Sequence, residues 1–150
     1  EIRGIDMAFL TLHCGLGNFR NTDVEDLTKH KMDSEQMFVN EECCRIVNKA
    51  KDEERKVVAI GTTVQRALEA SCSTDNRIKE FEGWTNKFIF PPYEFHVADA
   101  MLVNFYLPYS TLLMLTAAFG GYEYTMNAYH EALKHDYRFG PFGDCMLILD

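Results

Sequence analysis

A few histidine, arginine and acidic side chains in this 150-residue sequence could move protons or hold an anion. The stretch TLHCGLGNFR, residues 11–20, sets His13 and Arg20 around Gly15 and Gly17. Two glycines separated by one residue resemble the start of a dinucleotide fingerprint, which requires a third glycine three positions later and a helix that begins there. Arg20 occupies that position and the turn-rich segment RNTDVED follows, so the pattern does not predict a dinucleotide loop. The prediction that remains is a tight backbone turn that presents His13 and Arg20.

A second polar group, Thr62 and Thr63, follows the apolar run 57–60 and precedes a helical spacing of apolar residues over 64–71. In α/β sheets, ligands bind at the carboxyl ends of the strands, where a helix N-terminus can receive an anion or a polar group. The sequence therefore predicts a pocket with both threonines at its mouth. The alternative is that Thr63 only caps its helix, and the residues do not decide between the two.

The elements that position these groups alternate between helix and strand. Residues 40–55 predict an amphipathic helix with Asn40 as its cap. The unbroken run VVAI, residues 57–60, is typical of a central strand covered on both faces, and the helix over 64–71 follows it. A helix, strand, helix succession indicates an α/β fold, here a mixed sheet with flanking helices. A second amphipathic helix is predicted over 122–135.

Further strands are predicted on either side of this unit. The run IDMAFL, residues 5–10, and the terminal GDCMLILD each predict a buried strand, and residues 77–90 predict a hairpin or strand pair around Gly83. The segment 100–121 carries no charge and is long enough to span a bilayer. Pro108 interrupts it, so a strand before the proline and a helix from about Ser110 fit better than a membrane span.

The composition narrows the function classes. The net charge of −8, from 15 Lys and Arg against 23 Asp and Glu, argues against a nonspecific nucleic-acid binder. Five cysteines without a Cys-x-x-Cys spacing indicate neither a disulfide framework nor a zinc site, so we expect reduced thiols, no metal and a cytoplasmic protein. The apolar 47% is spread over one domain. Because the chain enters a predicted strand almost at its first residue, we expect it to be cut from a longer protein.

Several stretches together resemble one family, the S-adenosylmethionine:tRNA ribosyltransferase-isomerases of queuosine biosynthesis. They are LHCGLGNFR, HKMDSE, GTTVQRALE, GWTNKFIFPPYEF, NFYLPYSTLLML and YRFGPFGDCMLI, in this order and over nearly the whole chain. The resemblance implies that residues 1–150 are the C-terminal part of the larger α/β domain of a two-domain enzyme. The N-terminal part of that domain and the family's inserted β-barrel domain are then absent from this sequence.

The resemblance also implies a reaction. The family transfers and isomerises the ribosyl moiety of S-adenosylmethionine onto a 7-aminomethyl-7-deazaguanine base at the wobble position of tRNA, giving epoxyqueuosine with release of adenine and methionine. S-adenosylmethionine is thus consumed as a substrate, and tRNA is the expected partner, with no membrane involved. The sulfonium acidifies the adjacent ribose C–H, so a general base could start the reaction. A pocket with aromatic walls would hold the base outside its stack.

Within the resembling motifs, the candidate catalytic residues are His13, His30 and Glu35, with His13 preferred because it leaves a strand end. Glu35 is the alternative base. The candidate substrate-binding residues are Gly15, Gly17, Arg20, Thr62, Thr63, Arg66, Asp99, Asn104, Ser110, Thr111 and Asp144. Arg20 and Arg66 could hold a carboxylate or a phosphate.

Two departures from the family pattern leave an alternative function open. Tyr106 stands where members usually have His, and Tyr109 where they usually have Lys or Arg. A divergent paralogue that binds a nucleoside or RNA without this chemistry is therefore the second hypothesis. An unrelated nucleotide-binding α/β module is a third, for which the incomplete glycine pattern is poor support. As a fragment, the chain is expected to expose an apolar patch, to self-associate and to show little turnover alone.

Overall fold

The computed structural model describes residues 3–19, 22, 24 and 26–149, and in this part of the chain it contains six strands and four α-helices. The strands are β1 Thr11–His13, β2 Glu35–Val39, β3 Val58–Ile60, β4 Phe81–Thr85, β5 Ala100–Asn104 and β6 Cys145–Leu149. The α-helices are α1 Glu41–Asp52, α2 Thr62–Ser71, α3 Thr111–Gly120 and α4 Tyr122–Lys134. Two short 3-10 helices, Leu16–Phe19 and Leu27–Lys29, follow β1.

The strands β3, β5 and β6 form the mixed sheet that the sequence predicts. β3 and β5 are parallel, with Ile60 beside Leu102, and β6 returns antiparallel to β5. One face of this sheet carries Ala59, Met101 and Val103, which are all buried in the core. The α/β fold class is confirmed, because α2 follows β3 and packs against both parallel strands.

A second sheet, which the sequence analysis missed, joins β1, β2 and β4 in antiparallel order. The predicted hairpin over residues 77–90 is wrong, because 81–85 form one strand whose partner is β2, with Gly83 opposite Met37. The sequence analysis predicts no strand over β2. Local patterns do not reveal a partner more than 40 residues away along the chain, so the glycine was taken for a turn.

Helix α2 lies between the two sheets and closes the core. Seven of its ten residues are buried, including Gln65, Arg66 and Glu69. It contacts β1 and β2 of one sheet and β3 and β5 of the other. Buried polar side chains on a central helix need hydrogen-bond partners on the elements around them. For α2, the partners Glu35 of Arg66 and Tyr106 of Thr62 belong to the candidate site.

The predicted helices lie where expected, and their starts are explained by capping. The Asn40 side chain accepts a hydrogen bond from Cys43 N at 2.8 Å, and Ser110 accepts one from Leu113 N at 3.2 Å. The strand and helix predicted on either side of Pro108 are β5 and α3. No helix in the described part of the chain is long and apolar enough to cross a membrane.

Three strand predictions need correction. Residues 5–10 form no strand, and Ile5 and Phe9 are 68% and 69% exposed. β3 is an edge strand and not a central one, because among the described residues it has only β5 as a neighbour. β6 is not fully buried, since alternate residues along it are exposed. An apolar run predicts that its side chains are buried, but it does not show whether the element that buries them is part of this chain.

The strands β3 and β6 leave one apolar face of the mixed sheet exposed. Val58, Ile60, Leu147 and Leu149 are 48 to 70% exposed, and their registers place them on the same side of the mixed sheet. We call these four residues the open face. It agrees with the expectation of an exposed apolar patch, and such a patch in a folded domain indicates an interface.

Candidate functional site

A small cavity lies at the carboxyl end of β3, where α2 begins. Its volume is about 10 Å³, and it is lined by Met32, Thr62, Arg66, Phe88, Ile89, Thr111, Leu112 and Leu115. Three of the predicted substrate-binding residues, Thr62, Arg66 and Thr111, are thus brought together from separate segments. Thr62 lines this cavity but Thr63 does not, and a volume of this size holds no more than about one water molecule.

Gly61 starts α2 and leaves the helix end without a side-chain cap. Its φ of 102° is a conformation that favours glycine. Thr63 does not cap the helix, because the N-cap position belongs to Gly61. Among the described residues, no group accepts a hydrogen bond from the N–H groups of Thr62 or Thr63. The helix N-terminus therefore offers free donors and a positive partial charge at the cavity.

Arg66 and Glu35 form a buried ion pair behind this helix end. Each side chain is 3% exposed, and Arg66 Nη2 donates to Glu35 Oε2. Arg66 Nη1 points to Met32 Sδ at 3.2 Å, a weak acceptor for a guanidinium. Glu35 Oε1 also accepts the N–H of Gly15 at 2.8 Å. The carboxylate thus ties α2, β2 and the segment after β1 together.

Cys14 lies next to this pair. Partial burial of its sulfur and the nearby Glu35 carboxylate raise the pKa of the Cys14 thiol, and the neighbouring Arg66 only partly offsets this. The thiol therefore stays protonated at neutral pH, and it lacks the lowered pKa typical of a reactive cysteine.

Tyr106, one of the departures from the family pattern, belongs to the site. Its hydroxyl forms a 3.2 Å hydrogen bond with Thr62 Oγ1, and its backbone N–H donates to the hydroxyl of Tyr129 at 2.8 Å. Burial raises the pKa of Tyr129 to about 12, so this phenol is neutral. Tyr106 thus connects the end of β5 to the start of α2, and Tyr129 connects α4 to the end of β5. The sequence analysis missed Tyr129, because it reads only as an apolar-face residue of α4.

The two candidate histidines lie in different surroundings. His13 is exposed on β1, and its ring packs edge-on against Phe38 with centroids 5.8 Å apart. It is not among the residues that line the cavity. His30 is partly buried, and its ring packs 4.9 Å from Phe88, which is a cavity wall. His30 thus contacts the cavity wall, whereas the sequence analysis prefers His13.

The glycine pair lies in the tight stretch of chain that follows β1. Neither Gly15 nor Gly17 has a positive φ, and the chain continues as a 3-10 helix over Leu16–Phe19. A Cβ at Gly17 would overlap the Asp33 carboxylate, so this glycine permits a close approach to the 31–34 connection. Arg20, the predicted anion ligand in the same motif, lies outside the described residues.

Three other predicted ligands lie at the same end of the mixed sheet but do not line the cavity. Asn104 Nδ2 donates to Gly143 O at 3.3 Å and thereby holds the ends of β5 and β6 together. Asp144 Oδ2 accepts the N–H of Arg138 at 2.7 Å, and Ser110 caps α3. Their observed contacts are structural.

Asp99 lies at the opposite end of the sheet. Its carboxylate accepts the N–H of Val57 at 2.7 Å, and both residues precede the amino ends of the parallel strands β5 and β3. The structure therefore does not bring Asp99 to the cavity. Within the described residues, no three His, Cys, Asp or Glu side chains are grouped closely enough to hold a metal ion.

Two buried polar side chains near the site have no hydrogen-bond partner in the described structure. Thr111 Oγ1 lines the cavity, and the residue is 5% exposed. Both amide atoms of Gln65, in the first turn of α2, are also without a partner, and the residue is fully buried. Because buried polar groups are normally hydrogen-bonded, such groups require an explanation.

These features define the class of protein. The chain is part of an α/β domain in which a helix N-terminus, an arginine and threonine hydroxyls meet at the carboxyl end of a parallel strand pair, the usual ligand position in such sheets. The model of a protein family described as queuosine biosynthesis protein matches residues 1–148. The chain belongs to this family.

Named relatives agree with this assignment. The chain is 68% identical over 150 residues to an S-adenosylmethionine:tRNA ribosyltransferase-isomerase of Phocaeicola vulgatus, and 69% identical to one of Bacteroides fragilis. It is covered completely but spans only 43% of each relative's length. A crystal structure of S-adenosylmethionine tRNA ribosyltransferase from Thermotoga maritima matches with a TM-score of 0.72 and 46% identity, covering 77% of this chain and 40% of that one.

Proposed function

We propose that this chain is part of an enzyme that transfers and isomerises the ribosyl moiety of S-adenosylmethionine onto tRNA. The acceptor would be a 7-aminomethyl-7-deazaguanine base at the wobble position, and the products epoxyqueuosine, adenine and methionine. The observation that carries the proposal is the identity of 68 to 69% over the whole chain to proteins named for this ribosyltransferase-isomerase activity. Since tRNA is the partner, the cytoplasm is the proposed location.

The first chemical step needs a base that removes a proton from the ribose carbon next to the sulfonium. An imidazole suits this role better than Glu35, because the Glu35 carboxylate is engaged by Arg66 and by the N–H of Gly15. His13 remains a candidate. The contact of His30 with the cavity wall Phe88 supports His30 as the closer of the two histidines.

Substrate contacts are proposed mainly for the residues around the cavity. Thr62, Thr63, Arg66 and Thr111 would bind the polar end of S-adenosylmethionine, while Phe88 would supply an aromatic wall. Gly15, Gly17 and Arg20, from the motif that follows β1, stay candidate substrate-binding residues. The proposed role of Asn104, Ser110 and Asp144 is to hold the same end of the sheet in place. Asp99 would only stabilise the fold.

The remaining part of the enzyme is proposed to complete the domain. Residues 1–150 would be the C-terminal part of the larger α/β domain, and the elements that precede them in a full-length protein would cover the open face. The exposed aliphatic side chains on β3 and β6 support this, because sheets in α/β domains are covered on both faces. The isolated chain would then self-associate through this face and show little turnover.

The decisive experiment uses a full-length protein that carries this chain. It is incubated with S-adenosylmethionine and a tRNA that bears 7-aminomethyl-7-deazaguanine, and the nucleosides are analysed by mass spectrometry. The proposal expects epoxyqueuosine and free adenine. A folded protein that binds tRNA but forms neither product would favour the divergent nucleoside- or RNA-binding paralogue, for which Tyr106 and Tyr109 are the motivating departures.

A further inference from the structure

The free donors at the start of α2 converge with others on one point. The N-terminus of α2 has no side-chain cap, and Thr62 at its first position is 1% exposed. The hydroxyl of Thr111 reaches the same cavity from α3 and has no hydrogen-bond partner among the residues that the structure describes. Arg66 Nη1 completes the group, and it faces the thioether of Met32, a weak acceptor.

We propose that this cavity binds the carboxylate of the methionine end of S-adenosylmethionine, with Thr111 Oγ1, the N-terminal N–H groups of α2 and Arg66 Nη1 as donors. This inference rests on the proposed function. It explains why a buried hydroxyl lacks a partner, since a carboxylate is the acceptor that would satisfy it. It also explains why Gly61, which has no side chain to cap the helix, stands at the N-cap.

The charge of the site favours a monoanion. Arg66 is already paired with Glu35, so the arginine and glutamate together are neutral. The helix end adds roughly half a positive charge. A single carboxylate fits this balance, whereas a phosphate group of tRNA would bring more negative charge into a closed space whose described lining residues include no second arginine or lysine.

Met32 closes the cavity in the observed state. It belongs to residues 30–34, which have no regular secondary structure, and its sulfur occupies the acceptor position at Arg66. A volume of about 10 Å³ is too small for a carboxylate. The Met32 side chain must therefore move away when the ligand enters, and the carboxylate takes over its hydrogen bond from Arg66.

The test compares two ligands that differ only in this group. S-adenosylmethionine and its decarboxylated form are titrated by calorimetry into the full-length protein, and the ratio of their dissociation constants is the readout. Thr111→Val should weaken S-adenosylmethionine binding by roughly 10- to 100-fold, the range for a hydrogen bond to a charged group, and leave the decarboxylated ligand within about twofold. Thr111→Ser, which keeps the hydroxyl, should preserve the ratio.

Two further variants sharpen the result. Thr116→Val is the matched control, because Thr116 is a fully buried threonine of the same helix whose hydroxyl bonds Leu112 O at 2.9 Å. It should leave the ratio unchanged. Met32→Ala removes the side chain that closes the cavity and should keep or increase the preference for the carboxylate, so a lost preference would refute the displacement of Met32.

The outcomes separate the two proposals. If the wild type forms epoxyqueuosine but Thr111→Val leaves the ligand ratio unchanged, the carboxylate site is wrong and the proposed function stands. If Thr111→Val weakens tRNA binding instead, the anion is a phosphate and the carboxylate site is again wrong. A wild-type protein that binds no S-adenosylmethionine overturns both.

Discussion

Replacing Glu35 by glutamine in the full-length protein should strongly destabilise it. The substitution keeps the side chain's size and an oxygen that can accept the N–H of Gly15, but it removes the charge opposite Arg66. Both side chains are 3% exposed, so water cannot take the place of the carboxylate. Breaking a buried ion pair by removing one partner costs about 3–5 kcal/mol. We expect a loss of this size in the free energy of unfolding.

An exposed pair provides the matched control. Arg77 and Asp52 also form a two-sided contact, but their side chains are 44% and 51% exposed. Asp52→Asn should therefore have little effect. Adding Arg66→Met to Glu35→Gln should recover much of the lost stability, because no charge is then left buried.

Equilibrium urea unfolding followed by circular dichroism measures these differences. The reasoning is refuted if Glu35→Gln costs no more than Asp52→Asn, or if Arg66→Met worsens the single variant. The same data are needed to interpret catalysis, since a low rate in Glu35→Gln indicates a lost base only after correction for the folded fraction.

Three further predictions follow from the exposed and buried groups. His13→Ala should lower turnover of the full-length protein by roughly 10² to 10⁴ if the imidazole transfers a proton. It should have a small effect if the ring only packs against Phe38, and steady-state rates distinguish these outcomes. Burial raises the pKa of the Cys43 thiol to about 11, so an unfolded chain loses this proton at lower pH than the folded one. The free energy of unfolding should therefore fall as the pH rises from about 9 to 11. In urea titrations at several pH values, Cys43→Ala should make this fall with pH shallower. An unchanged pH dependence would show that the Cys43 thiol is not its source. Ile60→Lys should reduce self-association of the isolated chain in sedimentation velocity, whereas equal association of both chains would show that the open face is not the contact.

Much of the fold could be predicted from short-range patterns. The helices α1, α2, α3 and α4 follow from apolar spacing and from caps such as Asn40, because these are set by residues within one or two turns. Pro108 correctly excluded a long apolar helix, since a proline disrupts the helix at its own position. The order of helix and strand around β3 was sufficient for the α/β class.

The pairing of strands required the tertiary structure. β2 and β4 are neighbours although more than 40 residues separate them, and no local pattern encodes that distance. The exposure of Val58 and Ile60 could likewise not be predicted from the sequence, because a run of apolar residues reads the same whether or not another layer covers it.

For the candidate site too, the sequence determined some features and the tertiary structure decided the others. Residue types and motif order determined that Thr62 follows a strand run and precedes a helix, and that Arg66 and Thr111 are candidate substrate-binding residues. Only the packing of α2 between two sheets decided that Glu35 neutralises Arg66, that Met32 closes the cavity and that Asp99 lies at the far end. Hydrogen bonds and ion pairs depend on distances of a few ångströms between segments far apart in the chain, and those distances exist only once the core has formed.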